Sequence, residues 1–266
     1  MQTRSTSRFL AVAVGTCALA LPVLRTHAQS ATPAVAPAAL PDGKTIVQRS
    51  LDAIGSKEAR DSVHSTHMKL TAQSLMGTSK ISLTLRDPNQ VLMTQSIEGV
   101  ADSQVEIGFD GSIGWMQTAH APPRTLTTEM CAQFASGADA QELARSLDTR
   151  FASFTTLGAE ILEGTETWKV RLVDSDGIAT VGFFAKGTGL LRALEHTQQT
   201  PQGEATSRTL FDRWELVGPI LCCRSLTVSQ LGAKQEITFD EILFNKVAAD
   251  AIRAPDVLRA PPATAK

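Results

Sequence analysis

The sequence predicts a mainly β fold of the α+β kind. We expect a single curved antiparallel sheet of about 10–11 strands forming a half-barrel, with an N-terminal helix and a helical insertion covering its concave face. Three observations predict it. Runs in which apolar and polar residues alternate fill most of the chain, and Gly, Asp-Gly or Pro-Asn turn signals separate them. The alternation is one-sided, as in antiparallel sheets that bury one face. Helical spacing is confined to a stretch near the start and another in the middle. A sheet of that many strands must curl or close, because a flat one leaves large apolar faces wet.

The first element is an address. Arg4 and Arg8 precede the apolar run FLAVAVGTCALALPVL, and Thr26 and Ala28 take the small-residue places of a cleavage site. Residues 1–28 read as a secretory signal peptide cut after Ala28. A membrane anchor needs about 20 continuous apolar residues, and this run stops at Arg25. A lipidated cysteine at Cys17 would follow Thr16, a poor residue for that place. Residues 29–43, QSATPAVAPAALPDG, are rich in Ala and Pro and read as a linker. The intact chain carries a formal charge of −2. Removal of residues 1–28 takes three arginines and no acid, leaving 22 basic and 27 acidic residues and a charge of −5. That balance argues against nucleic acid and against an anionic membrane surface as partners.

The domain is expected over residues 44–258. In KTIVQRSLDAIG, Ile46, Val47, Leu51 and Ile54 form one helical stripe, with Asp42 as cap and Gly55 as stop. SKEARDSV adds a short turn of helix. Strands follow. HMKLTAQSL sets Met68, Leu70 and Ala72 on one face, and SKISLTLRD sets Ile81, Leu83 and Leu85 on one face. QVLMTQSI alternates more weakly. SQVEIGF presents Val105, Ile107 and Phe109, and after Asp110-Gly111 the return SIGWMQT presents Ile113 and Trp115. The middle, residues 125–154, changes to a helical period broken at Ser136-Gly137. Met130 with Phe134 makes one stripe, and Leu143, Ala144, Leu147 and Phe151 another. An excursion of that length is too long for a hairpin loop. Strands resume at TLGAEILEG. Trp168, Val170 and Leu172 share a face, and Ala179, Val181 and Phe183 share a face on the return. TPQG and LGAK divide the last three strands. The end, from Ala254, reads as a second loose tail, disordered from residue 259.

Residues that carry chemistry are scarce. His64 and His67 have helical spacing for a metal pair, but at the start of a strand the odd interval points them to opposite faces. DSDG at 174–177 is a tight turn without the further ligands of a calcium loop. GKT at 43–45 lacks the upstream glycine of a phosphate loop, and there is no G-x-S-x-G elbow. Cys131 could pair with Cys222 or Cys223 if the fold brings them together; buried free thiols are the other reading. Asp212 alternates with Leu210 and Trp214. It either faces the apolar side or is turned out by a bulge into an ordinary ion pair. No catalysis, metal or cofactor is expected.

The ordered landmarks VQRSLDAIGSKEA, SQVEIGFDGSIGW, LGAEILEGTETWKVRLVDSDG, VGFFAKGTGLL, FDRWELVGPI and EITFDEILFN resemble the LolA-like family of periplasmic lipoprotein carriers, also called outer-membrane lipoprotein-sorting proteins. The resemblance covers residues 44–258. It implies a periplasmic half-barrel with a hydrophobic cavity that carries or senses acyl chains, without catalysis. It also implies an arginine that latches a lid, for which Arg86, Arg171 and Arg213 all qualify. GPILCCRS departs from the pattern, with cysteines where related sequences carry a proline.

The expected ligand-binding residues are Met68, Leu70, Leu83, Met93, Ile107, Trp115, Trp168, Val170, Phe183 and Trp214. Methionines, Met68, Met76, Met93, Met116 and Met130, would add an adaptable surface. The expected partner of a monomeric protein is a lipid or lipoprotein acyl chain. The alternative is a regulatory or structural domain whose concavity is filled by its own helices and which binds another cell-envelope protein.

Overall fold

Asp42 opens the first helix. Its carboxylate accepts from Thr45 N at 2.9 Å and caps α1, Gly43–Ile54. Ile46, Val47, Leu51 and Ile54 are buried along one stripe, as the spacing predicts. Gly55 ends the helix, and α2, Lys57–Asp61, follows on a Ser56 cap. The buried Arg60 of α2 donates from Nη1 to the Leu51 and Gly55 carbonyls, both at 2.7 Å, so the C-terminal end of α1 is closed from outside the helix.

The computed structural model describes residues 39–75, 77–131, 145–200 and 203–259. The expected signal peptide, most of the linker, Met76, Phe134, Leu143, Ala144 and the last seven residues lie outside them.

Thirteen strands form one antiparallel sheet. One meander holds β1 (Ser65–Ser74), β2 (Gly77–Arg86), β3 (Gln90–Ile97), β4 (Val105–Phe109), β5 (Gly114–Thr118) and β6 (Ala121–Thr125). After a helical turn at 128–131 and α3 (Leu147–Arg150), a second meander runs through β7 (Phe151–Leu162), β8 (Thr165–Asp174), β9 (Ala179–Ala185), β10 (Leu191–Thr200), β11 (Gly203–Val217), β12 (Ile220–Gln230) and β13 (Ala233–Phe244). β13 pairs with β1, so the order is β6-β5-β4-β3-β2-β1-β13-β12-β11-β10-β9-β8-β7. β6 and β7 are open edges, and the sheet is not closed into a barrel.

Two strands exceed the expectation. β6 is APPRT, and a Pro-Pro pair argues against a strand except at an edge, which is where it lies. The run between TPQG and LGAK turns at Gly218-Pro219 into two strands, β11 and β12. Phe151, placed by periodicity on a helical stripe, is the first residue of β7, although it shares a core with Leu147 of α3.

The sheet curls around α1. Gly43 approaches β7 so closely that a Cβ would lie 2.9 Å from the Phe154 carbonyl carbon, and Gly55 meets Ile220 of β12 in the same way at 3.0 Å. In a flat sheet those strands would be about 24 Å apart, and a helix of this length spans about 18 Å. The main core therefore gathers Leu51 and Ile54 with residues as far apart in the sheet as Val91 of β3 and Val170 of β8.

Two smaller cores lie on the opposite face. The chain after β13 runs back as a strap ending in α4, Asp256–Arg259. It buries Ile252 and Ala254 against Trp115. Residues 254–259, expected to belong to a loose tail, are thus packed, and the rest of that expected tail lies outside the described residues. At the other half of the sheet, Leu162, Phe183 and Ala193 pack together.

Candidate functional site

Paired residues of an antiparallel sheet point to the same side, so the register identifies the inner face. Met68 pairs with Leu83, Leu83 with Met93, Met93 with Ile107 and Ile107 with Met116. These five side chains form one row across β1–β5. Leu70, Ile81, Gln95 and Val105 form the next row in the same way. Met68, Leu70 and Leu83 belong to the main core, so both rows face the α1 side.

The two halves of that face differ. Across β7–β12 it is filled by α1. Across β2–β5, Ile81, Met93, Val105, Ile107 and Met116 are only half-buried. Exposure grades along β3, from 2% at Val91 to 40% at Ile97. Leu126 and Cys131 seal the Val91 end, since a Cβ on Gly114 would lie 2.1 Å from Cys131 Sγ. The result is an apolar strip, closed at one end and open at the other, with two flexible thioethers in one row. It offers dispersion contacts and a place to desolvate a chain.

The structure brings together Met68, Leu70, Leu83, Met93 and Ile107. Trp168 and Val170 are on the same side, in or against the main core, and Trp214 packs against that core too. Two expected residues are misplaced. Trp115 pairs with Gly108, Gly108 with Leu92 and Leu92 with Thr84, all on the opposite parity. Its ring rests beneath the strap and its Nε1 donates to Glu106 Oε1 at 2.8 Å. Phe183 pairs with Lys169, whereas Phe184 pairs with Trp168. Phe183 is therefore on the outer face, with Lys169 Nζ 5.2 Å above its ring. Within the strip, Ile81 and Val105 continue the alternation of their strands, and that continuity is the signal that would have added them.

Asp212 is turned out. Arg213 has φ +52°, which breaks the alternation, and Asp212 pairs with Arg192 at 3.1 Å. Partial burial raises its pKa, but hydrogen bonds from Arg213 N and Arg192 outweigh that and hold it below the usual carboxylate range. Trp214 thereby stacks with Phe211, centroids 6.4 Å apart. Cys131, Cys222 and Cys223 are buried thiols outside any disulfide, and Cys223 Sγ donates to the Asp212 and Ser225 carbonyls at 3.1 and 2.9 Å. Burial pushes the Cys223 thiol up to about 11, which keeps it unreactive.

His64 lies 3.3 Å from Asp87, and His67 Nδ1 lies 2.9 Å from Thr84 Oγ1. Among the described residues no group of three His, Cys, Asp or Glu side chains could hold a metal. No helix among them is long and apolar enough to cross a membrane. Polar pockets lie elsewhere. One of about 530 Å³ is lined by Arg192, Glu195, Arg208 and Asp212, and one of about 390 Å³ by Lys57, His64, Asp87 and Asp148.

No family model and no curated protein matches the chain. Solved structures do. A LolA superfamily protein from Nitrosomonas europaea superposes with a TM-score of 0.53 at 8% identity, over 81% of this chain and 99% of the other. The fold is LolA-like. A DUF1329 family protein from Desulfovibrio piger gives a TM-score of 0.54 at 13% identity, over 80% and 97% of the two chains. At these identities the likeness lies in the LolA-like sheet and its packing, not in shared side chains.

Proposed function

We propose that this is an exported, non-enzymatic binding protein whose inner strip shelters the acyl chain of a lipid or lipoprotein. The observation that carries the reading is the half-buried run Met93–Ile107–Met116, which continues the row of the buried Met68 and Leu83 onto the part of the sheet that α1 leaves uncovered. Burying an acyl chain contributes about 0.8 kcal/mol per CH₂, so an apolar strip suffices for useful affinity without charged contacts. The N-terminal signal pattern supports a periplasmic location for this activity, where a cargo insoluble in water needs a carrier between membranes. Sorting of outer-membrane lipoproteins is the specific role that this reading favours.

The test is uptake of a fluorescent fatty acid by the purified protein, paired with native mass spectrometry of protein taken from its own cell envelope. Saturable uptake and a co-purifying acyl species are expected. Ile107→Asp, which sets a charge in the middle of the strip, should abolish uptake while leaving the far-ultraviolet circular dichroism intact. Empty protein from the envelope together with no uptake would sink the proposal.

A further inference from the structure

The antiparallel order sets the hairpin turns β3–β4, β1–β2 and β12–β13 side by side at one end of the sheet. This is the open end of the strip, where Ile97 is 40% exposed. The pairs Ser74–Gly77 and Gln230–Ala233 close the β1–β2 and β12–β13 hairpins. Each places a leucine beyond the last pair. Leu75 is 96% exposed and Leu231 78%.

Neither leucine is accounted for by folding. Leu231 has φ +50° and Gly232 φ +80°, a pair of left-handed residues for which Asn-Gly is the favoured sequence. A leucine there is strained by about 1 kcal/mol or more, and burial within the chain does not offset it. The two loops belong to neighbouring hairpins, so their tips stand about 10 Å apart, two strand spacings. Leu231 and Gly232 stand at the border of the polar pocket of about 530 Å³, whose charged lining offers the leucine no apolar cover.

We propose that these two tips insert into the surface of a zwitterionic phospholipid bilayer and dock the open end of the strip against it. The residues around them fit that surface. Gln73, Ser74, Ser229 and Gln230 are uncharged hydrogen-bonding side chains. The nearest cation of the β12–β13 hairpin, Lys234, is engaged by Glu236 at 2.8 Å. The third tip adds exposed Val100 flanked by Glu98 and Asp102, which disfavours an anionic membrane. A docked rim would let a chain pass between bilayer and strip without crossing water. That transfer step rests on the acyl-chain reading; the docking rests on the tips alone.

The test is flotation with vesicles of phosphatidylcholine and phosphatidylethanolamine, for the wild type and the double variant Leu75→Ser/Leu231→Asn. The wild type should float, with little change on adding salt. The double variant should bind at least about tenfold more weakly for each leucine removed. It should melt no lower than the wild type, because Asn-Gly suits the turn, and should keep fatty-acid uptake. Equal flotation of both proteins would overturn the docking, as would binding restricted to anionic vesicles and reversed by salt. A concentration-dependent dimer in sedimentation, lost in the double variant without any vesicle binding, would assign the tips to a second copy and also overturn it. Flotation without fatty-acid uptake would leave the docking standing and remove the carrier reading.

Discussion

Phe183 and Phe184 are adjacent and fully buried, yet they serve different cores. Phe184 packs with Val170 and Leu172 beside α1, while Phe183 packs with Leu162 and Ala193 on the reverse side. Truncation of Phe183 to Ala should therefore cost about 3–5 kcal/mol of stability, read as a lower urea midpoint, with fatty-acid uptake per folded molecule unchanged. Loss of uptake at temperatures where the variant is fully folded would contradict its outward placement. The pair also shows how far the sequence speaks at this scale. Alternation tells which residues of one strand share a face, and Trp168, Val170 and Leu172 do. It does not tell which face turns inward. At β9 the outward set, Val181 with Phe183, is more apolar than the inward set, Thr180, Gly182 and Phe184, because the β7–β8 hairpin brings Leu162 over it. At β5 the strap covers Trp115 in the same way. Only cross-strand register separates the two cases, and no local pattern encodes it.

Among the elements, α1 was fully legible: stripe, cap and stop all lie in one dozen residues. The strap was not, because its hold is long-range. Asp110 Oδ2 accepts from Ala254 N at 3.2 Å and pairs with Arg259, while Oδ1 accepts from Ser112 and Ile113 in its own turn. Burial raises the Asp110 pKa, but these hydrogen bonds outweigh it and bring the group down to about 2. A depressed folded pKa means stability that is complete above the ordinary carboxylate range, near pH 4, and lost as pH falls toward 2. Acidification through that window should release the strap. Quenching of Trp115 by acrylamide should rise there, and Asp110→Asn should show the raised quenching already at pH 7. An acid-independent signal would mean that Ile252 and Ala254 hold the strap by themselves.

For the molecule as a whole, the periodicity located most strands and a curled architecture, since a chain with this many one-sided strands has few other ways to hide their apolar side. It placed the apolar strip only in part. Occupancy of the inner face depends on where α1 lies, and a helix that spans β7–β12 leaves β2–β5 half-covered for reasons of length alone.

An unclosed sheet also has two borders whose backbone donors and acceptors face outward. Here one border is β6, interrupted by Pro122 and Pro123. The other, β7, is kinked by irregular register at Phe151–Ser153 and at Thr156–Gly158. Neither offers a long straight ladder for another molecule to extend. With Pro122→Val and Pro123→Val together, light scattering should reveal chains adding end to end as concentration rises, where the parent remains dispersed. The two prolines would then be guardians against fibre growth at a border that the open sheet leaves unpaired.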